Sequence, residues 1–341
     1  MAGRREACEA EGRRFATREA GRVSCRLRRI FAGLDARPYL GDDARREFRF
    51  YAELFEEALL RIDRKVAEGR LKPLAMPRRP EAFRPPSPLA RVGVFIGSFD
   101  PFQMTHLAAA LRFLASDRCG SDIVLVAPEG GENPSKPRRT DYGFRYELLR
   151  LQLAGILSPF VVPLDLGEGE DTIGVVERLL GRCRPGRLEL THLLGSDALP
   201  LALRYLPEDL AAWSAAAARA GVELDLGAFV ILRGAEGEEA VPGGAAGLAA
   251  AEEAYRSRGL RFAVDERRLS TPSSSDFRAR GALTIVLPTD AVLGRLELLF
   301  RYAMNRPWME GVPAAKDGTA ADAGTAAESR RAEGPPPEYE I

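Results

Sequence analysis

Six short apolar runs, separated by segments with helical spacing, constrain the fold of this chain more than any other feature. "RVGVFIG" (91–97) reads as a buried strand, followed by a helix over 105–117. "DIVLVAP" (122–128), "PFVVPLD" (159–165), "LELTHLLGSD" (188–197), "GAFVILRG" (227–234) and "LRFAVDE" (260–266) repeat the theme. Helical spacing falls near 140–155, near 172–183, over 198–220 as one helix or two, and near 247–258. A last amphipathic helix is expected over 288–304. Apolar strands that alternate with helices are buried on both faces, so the pattern predicts an α/β chain with a doubly wound parallel sheet.

This sheet domain is expected to span 90–306. Residues 1–41 are highly charged with weak periodicity and read as a loosely ordered leader. Over 42–72, Phe48, Tyr51, Ala52, Phe55, Leu59, Ile62 and Val66 recur at spacings of three and four. That is an N-terminal amphipathic helix, with Asp42 or Asp43 available as its cap. Its stripe needs a partner surface, either the main domain or another copy of the chain, which leaves a homo-oligomer open. Pro73, Pro77, Pro80, Pro85, Pro86 and Pro88 make 73–89 an extended linker, because proline fixes φ and lacks a donor. Residues 307–341 hold Ala, Gly, Pro and charge without period, and a disordered tail is expected there.

Composition removes several classes of function. Lys plus Arg equals Asp plus Glu at 49 each, so no broad electrostatic footprint for nucleic acid is indicated. Cys8, Cys25, Cys119 and Cys183 form no C-x-x-C pair, and two histidines cannot build a histidine-rich metal site. No run approaches the ~20 apolar residues of a membrane span, and no apolar core of a secretory signal follows the N-terminal arginines. A cytoplasmic protein without a membrane partner is the expectation.

One of the two histidines, His106, stands at the start of the helix after the first strand, just past "GSFDP". Ligands of open parallel sheets bind at the carboxyl ends of the strands. Gly97 and Ser98 can bring backbone N–H groups to a ligand, and the helix start adds unpaired N–H groups and a positive dipole end. The combination suits an anion, with phosphate as the natural guest and His106 as a further donor. Farther along, Ser273, Ser274 and Ser275 precede Arg278. Hydroxyls and N–H groups at a helix start, with a guanidinium fork, also suit phosphate. His192, within the fourth strand, reads as a core histidine.

"GSFDPFQMTHL" resembles the signature of the HxGH nucleotidyltransferases, most closely the nicotinamide/nicotinate mononucleotide adenylyltransferases. The resemblance places Gly97, Ser98, Phe99, Asp100, Pro101 and His106 on matching positions; Gln103 replaces the first histidine and Thr105 the usual glycine. "SSSDFR" (273–278) resembles the family's late Ser-Ser-Thr-x-(Ile/Val)-Arg motif, and "LLGSDAL" (193–199) its Gly-x-Asp motif. The likeness covers about 91–305. It implies a Rossmann-like nucleotidyltransferase fold that joins ATP and a pyridine mononucleotide, giving the dinucleotide and pyrophosphate in NAD biosynthesis.

Under that resemblance His106 and Arg278 are the catalytic residues. ATP is held by Gly97, Ser98, Phe99, Gln103, His106, Lys136, Gly195, Asp197, Ser273, Ser274, Ser275 and Arg278. The mononucleotide meets Ser98, Phe99, Trp213 and Arg233, with Trp213 standing for the family's stacking tryptophan. Arg145 follows Lys136 as the family's helix-borne arginine. No protein metal site is implied, and Mg²⁺ is carried by the substrate phosphates. Alternatives stay open for several of these: Asp197 as a helix cap, Trp213 as a core residue, Arg233 as a surface arginine. A sibling pantetheine-phosphate adenylyltransferase or cytidylyltransferase, or a non-catalytic nucleotide-binding module, are the competing readings. Nicotinate and nicotinamide mononucleotide both fit.

Overall fold

In a computed structural model of the chain, β1 (Leu89–Gly97) takes a parallel partner on each side. The structure describes residues 25 and 29, 42–72, 89–118, 121–130, 140–153, 160–165, 167, 171–234, 241 and 243–269. All of them fall in the compact unit Met1–Arg306. Outside the described residues lie the serine–arginine segment 273–278, Lys136, the helix expected over 288–304, the tail, and nearly all of the leader and proline linker.

The other strands are β2 (Ile123–Pro128), β3 (Val161–Pro163), β4 (Gly186–Gly195), β5 (Val222–Arg233) and β6 (Arg261–Leu269). Their order is β3-β2-β1-β4-β5-β6, every pairing parallel. Every residue of β2 is buried, as its unbroken apolar run requires. The helices are α1 (Asp42–Ala67), α2 (Met104–Ala115), α3 (Tyr142–Leu153), α4 (Thr172–Gly181), α5 (Leu199–Ala220) and α6 (Gly244–Arg256).

Alternation along each strand sorts the core into two layers. Phe95, Val124, Val126, Leu193 and Phe229 point to one face and pack with α1, α2 and the Leu149–Leu153 stripe of α3. Val92, Val94, Leu125 and Leu190 point to the other, against α4 and the Trp213 side of α5. Leu199, Leu206, Ala251 and Tyr255 extend that second layer through α5 and α6 over β5. Phe113 lies so close to β1 that a Cβ on Gly93 would fall 2.2 Å from its ring. Phe113 then meets Phe229 edge-on at 5.1 Å.

One strand departs from the expected outline, and the open choice between one helix and two over 198–220 is decided. β5 begins at Val222, five residues before the apolar run at 227, because Val222–Leu226 continue the ladder with β4. α5 is one helix despite Pro207. A proline inside a helix removes one backbone bond, but Leu206, Trp213, Ala216 and Ala217 keep a buried stripe on both sides of it.

α1 covers the outer face of α2. Tyr51, Leu54, Phe55, Ala58, Leu59, Ile62 and Val66 are all buried in the α2 layer, so the stripe is satisfied within the chain. Both ends are fastened by polar contacts. The Tyr51 and Thr105 hydroxyls hydrogen-bond at 2.9 Å near the start of α2. At its far end Lys65 Nζ donates to the carbonyls of Leu114 and Ser116, both at 2.7 Å. A cation suits the carbonyl end of a helix, where the last C=O groups lack intrahelical partners. Arg112 joins α2 to β6 through a two-pronged ion pair with Asp265. No helix among the described residues is long and apolar enough to cross a membrane.

Replacing Lys65 by Met keeps most of the aliphatic stem and leaves two helix-end carbonyls without this donor. Urea unfolding of Lys65→Met is expected to show a loss of about 1–3 kcal/mol, the usual result of stranding buried polar groups.

Candidate active site

The parallel registers bring the strand ends to one rim. Gly97 stands opposite Pro128 of β2, Phe95 opposite Leu193, and Gly195 opposite Ile231. Continuing the β1–β4 register by two residues sets Gly97 beside Gly195, on strands about 4.8 Å apart. After β1 the chain turns to one face of the sheet through α2, and after β4 to the other through α5. The crevice of this topology therefore opens between Gly97 and Gly195.

The turn after Gly97 is closely held. Phe99 has φ 42°, a left-handed conformation uncommon for an aromatic residue, and the Asp100–Pro101 peptide is cis. Asp100 is fully buried; its carboxylate accepts from the Thr140 backbone N–H at 3.0 Å and from the Thr140 hydroxyl. Arg145 is buried beneath the same turn. Its guanidinium donates to the carbonyls of Ser98, Glu129 (2.9 Å) and Thr140 (2.9 Å). Arg145, the helix-borne arginine of the resemblance, thus ties the ends of β1 and β2 to the start of α3 as a structural cation.

From Ser98 to Ala110, His106 alone is not buried. Its ring stands against Phe95, Phe99 and Phe102, with centroids 5.8, 5.1 and 5.4 Å away. Its Nδ1 accepts the backbone N–H of Gln103, the N-cap of α2, at 2.9 Å. An accepting nitrogen carries no proton, so the neutral ring holds its N–H at Nε2. The helix start thereby fixes both the tilt and the tautomer of the imidazole.

The expected neighbours of His106 are distributed unevenly. Ser98 and Phe99 are buried, and Gln103 is 1% exposed. The Gln103 side chain is thus placed inside the turn rather than at its surface, and its backbone N–H is taken by His106 Nδ1.

Across the crevice, Asp197 and Arg233 form an ion pair at 2.9 Å, and the Ser196 hydroxyl accepts the Arg233 N–H at 3.0 Å. Gly195 is a close-approach glycine: a Cβ there would fall 2.3 Å from Asp197 Oδ1 and 2.9 Å from Arg233 Cδ. The structure therefore brings Gly195, Asp197 and Arg233 together at the ends of β4 and β5. Among the described residues no group of three or more His, Cys, Asp or Glu side chains could hold a metal ion. Asp100 and Asp197, two of the carboxylates near the rim, are engaged by Thr140 and Arg233.

Trp213 is placed elsewhere. It is 5% exposed and packs in the core beneath the sheet, on the face opposite α2, edge-on to His192 at 6.5 Å. The expected stacking role gives way to a core role, because the Trp213 side of α5 is its sheet-facing stripe. His192, Asp209, Trp213 and Tyr255 line a small, largely apolar cavity there. Burial lowers the His192 pKa from 6.5 to about 4. Burial, aided by Asp171 and Glu208, raises that of Asp209 from 3.8 to about 6.

These two shifts act in opposite senses over one window. Below about 6.5 the unfolded chain's imidazole binds a proton that the folded His192 refuses until about 4, so its contribution to stability falls as pH falls. Folded Asp209 takes up a proton before the unfolded chain does, so its contribution rises as pH falls through about 6. Urea unfolding across this window is expected to show His192→Leu losing less stability on acidification than the parent chain.

No protein-family model matches the chain. A curated protein of Gloeobacter violaceus, named Probable nicotinate-nucleotide adenylyltransferase, is 42% identical over 67 residues, 19% of this chain and 31% of that protein. A Bordetella petrii protein of the same name is 31% identical over 111 residues, 33% of this chain and 54% of that protein. The chain thus matches about a third to half the length of these curated relatives. Among solved structures, a Plasmodium falciparum nicotinic acid mononucleotide adenylyltransferase complexed with NaAD covers 62% of this chain and 98% of its own at 14% identity and TM-score 0.38. The same enzyme complexed with APC gives 61%, 97%, 14% and 0.34. Over the matched segments this chain is similar in sequence to the nicotinate-nucleotide adenylyltransferases, the family that its first strand-end turn resembles.

Proposed function

We propose that the protein is an adenylyltransferase that joins ATP and nicotinate or nicotinamide mononucleotide, releasing pyrophosphate. One observation carries the reading: the strand-end turn buries every side chain from Ser98 to Ala110 except the imidazole of His106, whose tautomer the helix start fixes. The named relatives support the same chemistry. A phosphate monoester is already a nucleophile at neutral pH, so the reaction needs no general base. It needs two anions aligned and the charge on the transferring phosphoryl group stabilised.

In this reading the mononucleotide phosphate attacks the α-phosphorus of ATP, and the bond to the pyrophosphate oxygen breaks. His106 Nε2–H donates to a phosphate oxygen at the reacting centre. Backbone N–H groups of the 97–99 turn and the start of α2 complete the cradle. Gly195 lets the nucleotide approach β4, and Asp197 and Arg233 offer an acceptor and a donor across the crevice. Arg278, Ser273–Ser275 and Lys136, which lie outside the described residues, are assigned to the β/γ end of ATP by resemblance. Mg²⁺ comes with the phosphates and supplies charge neutralisation; no step assigned to the chain runs through it.

The test is pyrophosphate release from ATP and Mg²⁺ with each pyridine mononucleotide and with phosphopantetheine. Release with a pyridine mononucleotide alone is the expected result. Release with phosphopantetheine alone points to the sibling enzyme, and ATP binding without release points to a binding module. His106→Ala is expected to lose ~10²–10³ in kcat, the worth of one preorganised donor, while the chain still folds, about 0.5–2 kcal/mol less stable for want of the ring's contact with the Gln103 N–H.

A further inference from the structure

We infer that α1 belongs to the catalytic apparatus, and that Tyr51 is a positioning residue acting on His106 through Thr105. The inference rests on the adenylyl-transfer reading for its rate consequences, though not for its geometry. Tyr51 is fully buried, and its hydroxyl meets that of Thr105 at 2.9 Å. Thr105 directly precedes His106, in the first turn of α2. The imidazole is held from its other side by the Gln103 N–H at 2.9 Å. The helix start that carries the catalytic donor is therefore fixed from within by its own backbone and from outside by α1.

The arrangement also explains the residue at 105. The family pattern has glycine there, and glycine offers no side chain for an outer helix to grip. Threonine supplies a hydroxyl, and the outer helix supplies the matching tyrosine from 54 positions away. Lys65 grips the other end of α2 through the Leu114 and Ser116 carbonyls, so α1 spans α2 and is fastened at both ends. Between these points lies a continuous buried stripe, and a helix held this way transmits displacement along its length rather than absorbing it. The interaction resists axial sliding of α2, the motion that would carry His106 away from the rim. Small misplacements matter at such a site, where about 1 Å can change a rate by about 100-fold.

The experiment combines kinetics with imidazole nitrogen NMR. Two histidines give two ring systems, and His192→Gln assigns them. Tyr51→Phe and Thr105→Val are expected to lower kcat by about tenfold while leaving KM within roughly twofold, since the loss is of alignment rather than of binding. The double variant is expected to match either single one, and Thr105→Ser to restore the rate. In a His106→Ala background, Tyr51→Phe is expected to change nothing further. The Nε2 and Nδ1 signals of His106 are expected to shift in Tyr51→Phe while those of His192 stay.

An unshifted His106 ring overturns the inference, as does a rate loss that persists in the His106→Ala background. If the parent chain releases no pyrophosphate with any acceptor, the functional reading fails, and the ring signals still decide whether Tyr51 positions His106.

Discussion

The parallel hydrogen bonding of β1 to β2 on one side and β4 on the other is the constraint on which the site depends. It fixes how far each strand end projects. With Phe95 opposite Leu193, two more residues bring Gly97 and Gly195 level at the rim. A slip of one residue would turn Phe95 away from the α2 layer and move Gly97 off the crevice. The core enforces the register, since Phe95 and Val94 belong to different layers and neither can exchange faces.

Above that register, the turn after Gly97 is stabilised mainly by its surroundings. Asp100 and Arg145 tie it to the loop and helix that follow β2, and Phe95, Phe99 and Phe102 enclose the histidine. A positive φ at Phe99 costs of order 1–3 kcal/mol and persists only where neighbouring contacts over-determine it. Here they do, and the strained residue lies against the one side chain from Ser98 to Ala110 that is not buried, the His106 imidazole.

Much of this was legible in the sequence. Unbroken apolar runs gave the six strands, three-and-four spacing gave α1, and the glycine turn ahead of His106 marked the rim. Features set by distant partners were not legible. Arg145 reads as a solvated or ligand-binding cation because its three carbonyl partners are backbone groups of the turn after β1 and of the two ends of the β2–α3 connection. Thr105 reads as a departure from a motif until Tyr51 is found against it. Trp213 could face either side of a helix with apolar residues on more than one face, and only the sheet beneath decides. Val222–Leu226 alternate apolar and acidic residues, a half-buried strand pattern that a search for unbroken apolar runs passes over; the ladder to β4 runs through them.

The contact between Asp197 and Arg233 has a bearing on how the β5 end would receive an anion. The guanidinium already holds a carboxylate, so a guest there would bind by exchange. The Asp197 side chain is 60% exposed, and such pairs contribute only about 0–1 kcal/mol, so the exchange is inexpensive. The released carboxylate already faces solvent and would need no new partner.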